Sequence, residues 1–266
     1  MKILGIDTSG TVASVALSED GRLIASSRLQ YKLTHSETLM PMMETIKDLI
    51  SLDMNSLDYI AVTCGPGSFT GLRIGAAAAQ GVAGALGKNI IPVPTLDTIA
   101  WQMFGTRGLI CPMLDARRAQ VYTGVYEFVP ESVRGDRTRL GFRMNDLLSV
   151  RAVAVEEIIA SLIKIYKEKY GNIADEAWDK ADKPCIYLMG DGVPVVKDRI
   201  KELLTVPYTV VPFHRDRQSA EAVCALAEKI AALGKSITPE EFDLTYLRPS
   251  QAQRVKEELK AGDGSE

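Results

Sequence analysis

The segment Cys64-Gly-Pro-Gly-Ser-Phe-Thr-Gly-Leu-Arg-Ile-Gly75 constrains this chain more than any other stretch. Tyr59–Thr63 ahead of it is short, apolar and β-branched, the composition of a buried strand. Leu72–Leu86 behind it is rich in alanine and free of proline, which predicts a helix. Gly65, Pro66, Gly67 and Gly71 fill the joint. Glycine permits positive φ and, lacking a Cβ, lets a second backbone or a ligand come close. A strand-to-helix turn also offers free N–H groups to an anion. Two readings stand: a tight connection required by packing, and a cradle for phosphate. Within the helix, Gly71, Gly75 and Ala79 fall four apart, as do Ala77, Gly81 and Ala85, so two adjoining stripes lack bulk. A helical glycine costs roughly 1 kcal/mol relative to alanine. Something should therefore pack very close, either this chain's own sheet or a helix of a partner.

The 266 residues predict one large domain or two of ordinary size, and a hydrophobic content of 46% supplies a core. No apolar run approaches the ~20 residues that span a bilayer. Strand-like residues from Lys2 leave no room for a signal peptide. Cys64, Cys111, Cys185 and Cys224 are scattered and mostly in apolar surroundings, which reads as buried thiols, not a disulfide framework or zinc site. The expectation is a cytoplasmic protein without a membrane partner. A net charge of −3 excludes bulk electrostatics as the sole hold on nucleic acid, while a local basic face stays open.

Along the chain, Lys2–Asp7, Val12–Leu17 and Arg22–Leu29 read as a three-stranded meander. Asp7, Thr8 and Ser9 close the first strand; an acidic strand end with small polar neighbours suits phosphate or Mg²⁺, and is also common in ordinary turns. Thr34-His35-Ser36-Glu37 has capping-box form and opens a helix to about Ser51, with Pro41 bending it. Its stripe of Leu39, Met43, Ile46 and Ile50 is widened by Met40, Met42 and Leu49, methionines that serve as core filler or as an adaptable contact face. A strand at Asn89–Val93 and a helix from Thr95 through Phe104 complete residues 1–105 as one α/β subdomain. Residues 106–254 make a second. Its strands are expected at Leu109–Asp115, Gln120–Phe128, Cys185–Gly190 and Tyr208–Val211, and its helices at Val155–Tyr170, Pro194–Leu204 and Ser219–Leu233. The turn Gly190-Asp191-Gly192 is a second place where a ligand can approach backbone. Residues 130–151 carry five arginines and read as a loop or hairpin, either a solvated face or a basic contact patch. Residues 171–184 read as a surface insert and 255–266 as a frayed tail.

The run Gly65–Gly75 resembles that of the TsaB (YeaZ) family, the accessory subunit of bacterial tRNA threonylcarbamoyladenosine (t6A) synthesis. Leu4–Ser9, His35-Ser-Glu37, Leu114–Arg118 with Val121-Tyr122, Gly190–Gly192 and Tyr246–Arg254 agree with it, so the likeness spans about residues 2–254. It implies the two-subdomain α/β fold of the actin/Hsp70/sugar-kinase (ASKHA, RNase H-like) proteins. It implies a non-catalytic subunit that pairs with and activates its relative TsaD, the transferase acting on adenosine 37 of tRNA, and joins the ATPase TsaE. It implies contact with tRNA through that complex, and self-pairing when the relative is absent. TsaD's metal-binding histidines would fall at Thr95 and Ile99, so the resemblance implies no metal and no required cofactor here, with ATP or ADP and Mg²⁺ at the partner interface as the one candidate. On the same basis the partner face is assigned to Leu39, Met42, Met43, Ile46, Gly71, Leu72, Gly75, Ala79 and Val82. Nucleotide contact is assigned to Asp7, Thr8, Ser9, Gly65, Gly67, Gly190, Asp191 and Gly192. The alternative is an ATP-dependent phosphotransferase or phosphohydrolase of the same fold. A glycoprotease would need a metal site or an activated nucleophile, for which Cys64 is the only candidate.

Overall fold

The same strand order occurs twice. In the computed structural model, which describes residues 1–32, 34–133, 136–171 and 184–248, one sheet runs β3-β2-β1-β4-β5 and the other β8-β7-β6-β9-β10. The strands are β1 Lys2–Asp7, β2 Ala13–Glu19, β3 Arg22–Leu29, β4 Tyr59–Thr63, β5 Asn89–Val93, β6 Gly108–Asp115, β7 Gln120–Val133, β8 Asp136–Ala154, β9 Cys185–Met189 and β10 Tyr208–Val210. In each sheet the first three strands form an antiparallel meander, and the last two lie parallel to the first. β1 is buried past Lys2 and paired on both sides, which is why Ile3–Ile6 is a continuous apolar run.

The helices are α1 His35–Leu49, α2 Phe69–Leu86, α3 Thr95–Trp101, α4 Val155–Tyr170, α5 Gly192–Leu203 and α6 Ala220–Ala232. The backbone N–H of Thr34 donates to Glu37 Oε2 at 2.8 Å, the capping contact expected at the start of α1. α1 and α2 cover the outer face of the first sheet, and α4 and α5 the outer face of the second. The last helix of each half then crosses over. α6 packs on the first sheet through Ala220, Val223, Cys224 and Ala227, while α3 packs on the second through Leu96, Ile99 and Ala100. The result is five layers, helix–sheet–helix–sheet–helix, which is the two-subdomain ASKHA architecture.

The division at residue 105 separates the two sheets but not the helices. α6 and the stretch Ile237–Phe242 return to the first half, where Ile237 bridges Ile90 and Gln80 Nε2 donates to the Pro239 carbonyl at 2.9 Å. Helical periodicity reveals an apolar face but not which sheet covers it. Residues 130–133 and 136–151 form the outer part of a long β7–β8 hairpin, and Arg134 lies outside the described residues. Arg143 faces Glu131 at 4.0 Å and Arg151 faces Glu157 at 3.8 Å, so these two arginines have carboxylate neighbours in their own chain. The expected insert and the tail fall almost entirely outside the described residues.

The expected partner face requires correction. Leu39, Met42, Met43, Ile46, Leu72 and Ala79 are buried in this chain's own core, as are Gly71 and Gly75, and Val82 is half-buried against them. A Cβ on Gly71 would lie 2.1 Å from the Thr8 carbonyl oxygen, and one on Gly75 would lie 2.4 Å from Thr8 Oγ1. The stripe 71–75–79 is small because the first strand's turn sits against it. The second stripe points the other way: Ala77, Gly81, Gly84 and Ala85 are exposed, and among the described residues a Cβ at Gly81 or Gly84 would meet nothing beyond the helix's own backbone within 4 Å. Gly71→Ala is therefore expected to destabilise by about 1–3 kcal/mol through overpacking. Gly81→Ala should stabilise the isolated chain by about 0.5–1 kcal/mol. Urea midpoints of the two variants should move in opposite directions.

Candidate functional site in the cleft between the sheets

A cleft of about 530 Å³ opens between the two halves. From the first half it is lined by the β1–β2 turn (Ser9–Thr11) and by Pro66–Thr70 at the start of α2. From the second come Leu114–Arg117, Tyr122, Asp191 and Val195, and the stretch Thr245–Arg248 lies along it. Of the eight residues expected to hold nucleotide, Ser9, Gly67 and Asp191 line this space; Asp7, Thr8, Gly65, Gly190 and Gly192 do not.

The glycine-rich loop is built by backbone approach. Ser68 N–H donates to the Ser9 carbonyl at 2.7 Å, and Thr8 Oγ1 donates to the Gly71 carbonyl at 2.7 Å. A Cβ on Gly67 would stand 2.3 Å from that same Ser9 oxygen. Ser68 Oγ caps α2 by accepting from Gly71 N–H at 3.2 Å. Ser9's carbonyl thus occupies an N–H of the kind a phosphate would seek, and packing accounts for these glycines. The second half repeats the device: Gly190, at φ +104°, would place a Cβ 2.2 Å from the Met113 carbonyl oxygen.

Asp7 is sealed beneath the turn. Its Oδ1 accepts from Ser9 N–H at 2.9 Å, Ser9 Oγ at 2.6 Å and Thr63 Oγ1 at 3.2 Å, while Oδ2 has no partner among the described residues. Burial raises its pKa from 3.8 to about 6, against the opposing pull of these hydrogen bonds. Asp191 is also raised by burial, and its Oδ1 accepts from Asp115 N–H at 3.1 Å. Cys64 is buried, and desolvation pushes its thiol to about 11, so it is protonated at neutral pH and unsuited to nucleophilic attack. His35 Nε2 lies 2.8 Å from the Gly10 carbonyl, and His214 is exposed on the β10–α6 connection. Thr95 and Ile99 are buried at the start of α3. Among the described residues no three His, Cys, Asp or Glu side chains are gathered as metal ligands.

Three features lie in geometry that the motifs alone do not indicate. Arg117, Arg118 and Ala119 all have left-handed φ, although none is glycine or asparagine; the Asp115 carboxylate holds the turn, accepting from Arg117 N–H at 2.8 Å. Tyr126 Oη donates to Asp97 Oδ1 at 2.9 Å, tying α3 to the second sheet, and burial raises Asp97 to about 6. Thr245–Arg248 lies in the cleft.

Residues 30–139 match the family described as TsaD: tRNA N6-adenosine threonylcarbamoyltransferase. The "tRNA threonylcarbamoyladenosine biosynthesis protein TsaB" of Bacillus subtilis is 30% identical over 254 residues, covering 95% of this chain and 96% of that one. The chain belongs to the TsaB family. The TsaB of Escherichia coli is 27% identical with the same coverage. The solved structure of YeaZ from Pseudomonas aeruginosa superposes with a TM-score of 0.67 at 24% identity, over 92% of this chain and 99% of that one, which shows the shared fold. In this TsaB-family chain the matched region takes in α1, α2, α3 and the crossing into the second sheet.

A pH test follows from Asp7. A folded pKa near 6 against an unfolded 3.8 means the folded state binds the proton more tightly. Asp7 therefore lowers stability progressively as pH rises from about 4 to 6, and its full cost is present above that. Asp7→Asn is expected to be more stable than wild type by about 1–3 kcal/mol at pH 8, with the difference shrinking toward pH 4. Urea unfolding at both pH values checks it.

Proposed function

We propose that this TsaB-family chain is the accessory subunit of t6A synthesis that pairs with a TsaD-like transferase and carries no catalytic group of its own. The observation that carries this reading is the outward side of α2. Gly81 and Gly84 each cost a helix about 1 kcal/mol, and among the described residues nothing beyond the helix's own backbone lies within 4 Å of where their Cβ atoms would be. On the adjacent α1, Met40 is 45% exposed, Leu49 78% and Ile50 38%. Exposed small residues on α2 beside exposed apolar side chains on α1 suit close approach by another helix. The proposed partner face is therefore Met40, Leu49, Ile50, Ala77, Gly81, Gly84 and Ala85, in place of the buried set that the resemblance implied. The same face would let two copies pair when the TsaD-like subunit is absent. A TsaE-like ATPase joins the pair in this reading, and tRNA is met through the assembly.

The cleft supports the non-catalytic part. The Cys64 thiol is buried and protonated, Asp7 is sealed beneath the β1–β2 turn, and Asp191 accepts from the backbone of Asp115. The carboxylates that line the cleft are already engaged within the chain: Asp115 accepts from Arg117 N–H at 2.8 Å and pairs with its guanidinium at 3.0 Å, and Asp191 Oδ1 accepts from Asp115 N–H, so ATP or ADP with Mg²⁺ is proposed only at the partner interface. No observation favours a phosphotransferase.

Gly81→Trp and Ala85→Trp should weaken binding to the TsaD-like subunit by at least about tenfold and lower t6A formation in the reconstituted system, while the free chain keeps its melting temperature. Calorimetric titration measures the first and nucleoside analysis the second. Unchanged affinity in both variants would exclude this face.

A further inference from the structure

The chain crosses covalently between the halves through α3 and again through the connection from β10 to α6. A third, noncovalent crossing is made by Thr245–Arg248. On the first half, Thr245 N–H donates to the Cys64 carbonyl at 2.8 Å. The approach there is so close that a Cβ on Gly65, whose φ is +115°, would lie 2.4 Å from the Thr245 carbonyl oxygen. Tyr246 stacks on Phe69 with ring centroids 5.0 Å apart, and Arg73 Nε donates to Tyr246 Oη at 3.3 Å. The Arg73 guanidinium lies 4.0 Å over the other ring of that pair. On the second half, Arg248 Nη1 donates to the Ala116 carbonyl at 3.0 Å, in the turn that contains the left-handed residues 117–119. Four consecutive residues thus occupy the cleft and bond to both of its walls.

We propose that Thr245–Arg248 is a clasp: it runs along the cleft, bonds to both of its walls and holds the two halves at one angle, so that opening requires its release. The clasp ties the two sheets together from the cleft side, in addition to the covalent crossings. The clasp stands on contacts separate from the partner face and is independent of that assignment.

The test uses the full-length chain with Arg248→Ala, and with Tyr246→Ala and Arg248→Ala together. Small-angle scattering should show a larger radius of gyration for the double variant. Amide exchange at Thr245 should accelerate about tenfold or more, as loss of a hydrogen bond from a charged donor allows, while β1 and β4 keep their protection. The single variant should move in the same direction at an unchanged melting temperature. Identical scattering and exchange would overturn the clasp. Acceleration that extends equally into β1 and β4 would overturn it too, by showing global loss of stability in place of local opening.

Discussion

The seating of α2 on the β1–β2 turn sets the rest of the first half. Ser68 N–H and Thr8 Oγ1 reach across in opposite directions, to the Ser9 and Gly71 carbonyls, and the helix backbone comes down to where no Cβ fits at 67, 71 or 75. This fixes the roll of α2 about its axis. With 71, 75 and 79 turned inward, 77, 81 and 85 must face outward. The same contact closes the turn over Asp7 and keeps that carboxylate out of the cleft. One packing decision thus separates the buried stripe from the outward one and keeps an acidic group away from the cleft.

Much of the fold was legible in the sequence. The meander, the strand–glycine loop–helix unit and the order of elements in the second half follow from composition and turn chemistry, and the family is readable in Gly65–Gly75. The orientation of α2 was not. Both stripes are small and spaced by four, so periodicity predicts two faces and cannot rank them; only the position of Thr8 and Ser9 does. The exchange of α3 and α6 between sheets was equally hidden, because an amphipathic pattern specifies burial without naming the surface that buries it. The repeat of one strand order in both sheets was masked by the length of the β7–β8 hairpin, which has no counterpart in the first sheet.

The candidate site divides along the same line. Gly67, Ser9 and Asp191 were placed at the cleft by their turns, whereas Asp7 looked available in sequence and is buried in three dimensions. A carboxylate with one unpartnered oxygen and a pKa near 6 is a liability for stability. The hydroxyls of Ser9 and Thr63 offset part of that cost and hold the turn against which α2 rests. The groups at the cleft are spent on holding turns, loops and the stretch Thr245–Arg248 together. That distribution agrees with a subunit whose contribution to t6A synthesis is a surface.

The most direct test of that surface is site-specific photocross-linking. A benzoyl-phenylalanine at position 81 or 85 of α2 should cross-link to the TsaD-like subunit in the mixed complex, and the same probe at Lys197 on α5, on the far side of the molecule's layers, should not. Cross-links from Lys197 with none from α2 would contradict the assignment of α1 and α2 as the pairing face.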